Sequence, residues 1–169
     1  MHPTEIARLA VAIALSGVLV WASVSDIRAR RIPNASVLAV LALFVVEAII
    51  NRGAGLLSSF GAGAIALVVT FALYAFNEII GAGDAKLFSA AALFAGLAAL
   101  PALAFATALF GGLVAVVSIL TRPRRALVML QLRGKGDFGK GVPYGVAIAA
   151  GTAIVIWAPY LGWRVNLAL

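Results

Sequence analysis

Cysteine is absent, and histidine occurs once, as His2. Disulfides, thiolate-bound zinc and a thiol nucleophile are therefore excluded, and the redox compartment stays open. A lone histidine gives no support to an imidazole metal site or a Ser-His triad, so neither a metal nor any other cofactor is expected. Acidic side chains are also scarce: 6 Asp and Glu among 169 residues, in a chain that is 64% apolar and 11% charged. A soluble domain of that composition would expose too much apolar surface to stay dispersed. No long polar stretch marks a second unit, so residues 1–169 read as a single polytopic membrane domain.

What the chain does have is apolar runs close to the ~20 residues needed to cross a ~30 Å hydrocarbon core. Lipid offers the backbone no hydrogen-bond partner, so such runs must be helices. The sequence predicts an all-α membrane protein with about six spans. These are Ile6 to Val24, Ala35 to Ile50, Leu56 to Phe76, a pair within 85–120, and Pro143 to Trp163. A helix over the whole of 85–120 would reach roughly 54 Å, so Gly96 and Pro101 are read as a break. That gives a fourth span to Leu100 and a fifth from Ala102 to Leu120. Trp157, Tyr160 and Trp163 suit an interfacial belt. The run after Ile6 ends in W-A-S-V-S, but its charge follows the apolar stretch, which reads as a retained helix rather than a cleaved signal.

Net charge is +7. In a membrane protein this reads as cytoplasmic loop charge rather than a nucleic-acid surface, so no nucleic-acid partner is expected. Ten of the 13 basic residues fall on one side: Arg28, Arg30, Arg31, Lys86 and the six of the 121–142 loop. Arg8, Arg52 and Arg164 fall on the other. The bias places both termini outside the cytoplasm. Within the basic loop, Ala126 to Leu132 has the pattern of a short interfacial helix, and its cations suit anionic lipid.

With this orientation, three features far apart in sequence share the cytoplasmic face. Asp26 closes the first span in S-V-S-D-I-R-A-R-R-I-P-N, Asp84 opens the fourth in G-A-G-D-A-K-L, and Pro143-Tyr144-Gly145 opens the sixth. Ionisable groups at a hydrocarbon boundary are costly, and so are candidate functional groups. Two neighbouring carboxyls resist joint ionisation, so one stays protonated while the other acts as a base. Such a pair activates water, polarises a scissile carbonyl and protonates the leaving amine without a metal. Gly81 and Gly83 ease unwound backbone and close approach beside Asp84. Taken singly, Asp84 is equally a helix cap and Asp26 a partner for Arg28 or Arg30. Only the joint pattern favours catalysis.

The three motifs, in this order, resemble those of type IV prepilin peptidases, the G-x-G-D membrane aspartyl proteases that remove prepilin leaders. The resemblance spans nearly the whole chain. It implies that Asp26 and Asp84 are the catalytic pair. Lys86 matches the basic position after the G-x-G-D aspartate, and Pro33 and Asn34 match the I-P-N turn. Gly81, Gly83, Lys86, Pro143, Tyr144 and Gly145 are then the site-shaping or substrate-binding positions. Longer members carry an N-terminal cytoplasmic region with paired cysteines and also N-methylate the product. This chain is similar instead to the short form of Flp-type (tight-adherence) pili, which argues against N-methyltransferase activity. Short archaeal preflagellin peptidases are similar too, so bacterial and archaeal substrates both stay open. The implied partners are prepilins and pseudopilins, and the implied location is the bacterial cytoplasmic membrane.

Other acidic groups read differently. Glu47 is expected to snorkel or to pair with Arg52, and Glu78 reads as a solvated helix-end carboxylate. The main alternative to a peptidase is an ion- or proton-coupled transporter using the same carboxylates, with a small assembly subunit behind it. Oligomeric state is not legible.

Overall fold

In the computed structural model, residues 2–77, 80–120 and 143–162 are described. All regular structure among them is helical. Helix α1 spans Pro3–Ala29, α2 Asn34–Ile50, α3 Leu56–Asn77, α4 Ala82–Leu120, and α5 Tyr144–Trp157. Three of them, α1, α3 and α4, are long and apolar enough to cross a membrane, while α2 and α5 are shorter apolar helices. The outer surface suits lipid: Leu57, Phe76 and Phe105 are 89%, 83% and 72% exposed.

The five helices among the described residues correct the expected six. The expected fourth and fifth spans are two arms of one element, because the chain turns without leaving a loop. The turn is made at Gly96, at φ 66° and ψ 175°, a conformation open essentially to glycine alone. Pro101 lies inside the second arm rather than at the break. The arms fold back on one another. Asp84 and Phe88 of the first line the same cavity as Ala104, Thr107 and Ala108 of the second. In a straight helix, positions 84 and 107 would stand about 34 Å apart. Ser58 of α3 secures the turn by accepting a 2.9 Å hydrogen bond from the Leu97 amide, one of the donors orphaned at the start of the second arm.

Buried positions of α1 recur at Val11, Ala12, Leu15, Leu19, Ala22 and Asp26. This is one helical face, and Asp26 is its last member. Those of α2 are Ser36, Val40, Phe44 and Glu47. Leu15, Leu19, Val40, Phe44, Leu87, Phe94 and Ile148 share the main core, with Phe94 edge-on to Phe44 at 5.6 Å. Small residues bring α5 close to the second arm of α4. A methyl group added at Gly151 would lie 2.8 Å from the Thr107 backbone nitrogen. Such contacts suit helices that associate in lipid by close packing.

The end of the bundle remote from Asp26 holds a polar cluster. Glu47 is buried and accepts a 3.1 Å hydrogen bond from the Asn51 side chain. Arg8 donates to Asn51 and stands 4.0 Å from Glu47. The expected partner, Arg52, is thus replaced by Arg8, and Glu47 does not snorkel. The antiparallel course of α1 and α2 brings Arg8 to the same end. Trp157, expected in an interfacial belt, turns its indole N–H to Ser16 Oγ at 3.1 Å. Glu78, Trp163 and the 121–142 loop lie outside the described residues.

Candidate active site

The site grows out of two helix starts and one helix end. Helix α1 continues past the expected boundary at Val24 and closes on Arg30, which has left-handed backbone (φ 51°) and donates its amide to the Asp26 carbonyl at 2.9 Å. Asp26 therefore sits in the last turn, only 7% exposed. A carboxylate at a helix C-terminus opposes the helix dipole. Here α5 compensates: the Gly145 amide, in its first turn, donates to Asp26 Oδ2 at 2.8 Å. The free amides at a helix N-terminus favour an anion. The Arg30 charge also acts on Asp26. The Ser23 hydroxyl adds a 3.3 Å contact to the Gly145 carbonyl.

Asp84 occupies the third position of α4, and its carboxyl reaches back to the Gly81 amide. This is the reciprocal half of a capping box. Asp84 is thus not the N-cap residue itself but caps Gly81 from inside the first turn, and its carboxyl faces the same space as Asp26. Both aspartates line one cavity of about 260 Å³ with Arg30, Arg31, Ile32, Gly81, Ala82 and Gly83. They are near enough for the Asp26 charge to act on Asp84.

The glycines have separate reasons. A methyl group at Gly81 would stand 2.8 Å from Asp84 Oδ2, and one at Gly83 3.2 Å from Ile32 Cβ. At Gly145 it would meet Asp26 Oδ2 at 3.0 Å. Each lets a carboxyl, or the turn that carries Ile32, come close. Pro143 is the N-cap of α5. Tyr144 packs against Gly111, where a methyl group would fall 2.9 Å from its ring. Lys86 is exposed and is not among the residues lining the cavity. Ile32, Ser23 and Gly111 are neighbours of the site that sequence reasoning missed. Gly111 lies in an unremarkable apolar run, and only the fold-back of α4 brings it to Tyr144.

A sequence model of the type IV leader peptidase family matches residues 13–116, more than half of the chain. The chain belongs to the type IV leader peptidase family. No curated protein and no solved structure matches it. The stretch matched to the leader peptidases contains Asp26, Gly81, Gly83, Asp84 and Lys86. Pro143, Tyr144 and Gly145 lie beyond it; of these, Gly145 stands against Asp26 in the structure.

Proposed function

We propose that this leader peptidase family member is an aspartyl endopeptidase that removes the leader from type IV prepilins of the Flp type, using Asp26 and Asp84. The observation that carries the reading is the shared cavity: two carboxyls from distant segments, each bonded to a helix-N-terminal amide, face one space. The ionised member takes a proton from water as the oxygen attacks the scissile carbonyl. The protonated member hydrogen-bonds the developing oxyanion. Collapse of the tetrahedral intermediate breaks the C–N bond, and a carboxyl proton passes to the leaving amine. The two titrate as a unit, so the proton belongs to the pair rather than to one residue.

The basic residues flanking the site, Arg28, Arg30, Arg31 and Lys86, support a cytoplasmic-face location in a bacterial inner membrane. A leader kept in the cytoplasm by the same rule would meet the pair there. The transport alternative is served less well, because both carboxyls stand at helix ends whereas transport sites tend toward the midplane.

The test is cleavage of a co-encoded pilin precursor by Asp26→Asn and Asp84→Asn variants that still accumulate in the membrane. Each abolishes leader removal, and the double variant is no worse than either single one, because residues that act as a unit are non-additive. Near-normal processing by either would remove these aspartates from the chemistry.

A further inference from the structure

Asp84 lines two cavities of different character. One is the polar space shared with Asp26, Arg30 and Arg31. The other, about 270 Å³, lies between α3, the two arms of α4 and the start of α5, and is lined by Leu73, Phe88, Ala104, Ala108, Tyr144 and Ile148 among others. No other described residue lines both. A polypeptide bond held at the aspartates therefore has a wet, cationic space on one side and an apolar chamber on the other.

The space beside Asp84 is roomy enough for an apolar side chain, and its walls are mostly apolar. We infer that this chamber is the subsite for the apolar residue adjoining the scissile bond on the membrane side of the substrate, and that Ala104 and Ala108 set how large that residue can be. The inference rests on the proposed catalytic pair. Ala104 and Ala108 are one turn apart on one face of the second arm, both with exposed surface. Enlarging them therefore fills the chamber without overpacking the core.

The experiment measures kcat/KM for pilin precursors carrying Ala, Leu, Phe or Trp as the first residue of the apolar segment beside the scissile bond. The enzymes are the wild type, Ala108→Leu and Ala104→Leu, with Ala102→Leu as a control on an exposed position outside the chamber. Adding or removing a methylene in an apolar pocket discriminates by roughly 10–200-fold. Ala108→Leu and Ala104→Leu are expected to lose at least about tenfold on Phe and Trp relative to Ala, while Ala102→Leu keeps the wild-type order. A drop equal for all four precursors in both chamber variants, or no change in either, overturns the subsite. Asp26→Asn in the same assay separates the two readings. If it abolishes cleavage while the size profile ignores both chamber variants, only the subsite falls; if it cleaves normally, the catalytic pair falls.

Discussion

Gly145→Ala is the most exacting perturbation of this site, because it adds one carbon and removes no chemical group. The new methyl group would lie 3.0 Å from Asp26 Oδ2 and 3.1 Å from Asp26 Cβ, where ordinary contact begins at 3.4 Å. Either the carboxyl or the start of α5 must retreat by about 0.3–0.4 Å or more. The retreat also stretches the 2.8 Å hydrogen bond from the Gly145 amide. Misplacing a reacting group by ~1 Å costs on the order of 100-fold in rate, and a hydrogen bond to a charged group is worth ~1.5–3 kcal/mol. A fall of about 10–100-fold in kcat therefore follows. Alanine favours helix by ~0.5–1 kcal/mol over glycine, so stability should change little. The assay pairs precursor cleavage by purified enzyme with thermal unfolding in detergent. Gly112→Ala is the control, since nothing lies within 4 Å of its added methyl group. A wild-type rate for Gly145→Ala would refute the claim that its amide positions Asp26. Equal damage from Gly112→Ala would show that the effect is one of helix structure in general.

The membrane class, the two aspartates and their convergence were legible because burial in lipid makes each charge conspicuous. The inward direction of Asp26 was not: the structure puts it four residues beyond Ala22 on the buried face of α1. The fold-back of α4 was legible only as a length argument. The expected spans met at Pro101, whereas the chain turns at Gly96, where only glycine backbone permits it. The partner of Glu47 was misread because Arg52 is near in sequence, whereas antiparallel packing brings Arg8 to the same end. Contacts of this kind, including Gly111 with Tyr144 and Gly83 with Ile32, depend on rotation of one helix against another. Apolar sequence records that rotation poorly, since lipid-facing and protein-facing positions are equally hydrophobic.

Gly151→Ala should act on stability rather than on chemistry. Its methyl group would press 2.8 Å from the Thr107 nitrogen and 3.0 Å from its Cα, and overpacking of this kind costs ~1–3 kcal/mol by thermal unfolding. Glu47→Gln should retain most cleavage, because its cluster is anchored at Arg8, about 27 Å along α1 from Asp26. Large loss of kcat there would tie the remote end to the site. Arg8→Ala should lower stability by about 1–2 kcal/mol, below the usual figure for breaking a buried pair, since the Arg8 side chain is 38% exposed. Orientation is tested with single cysteines, for which the cysteine-free chain provides a clean background. Replacements of Arg31 and Gly83 should label from the cytoplasm and a replacement of Asn51 from outside. Arg31 and Gly83 line one cavity, so labelling from opposite faces would contradict the site geometry itself. Labelling of both from outside would preserve the geometry but invert the protein, placing the aspartates where a leader retained in the cytoplasm never arrives.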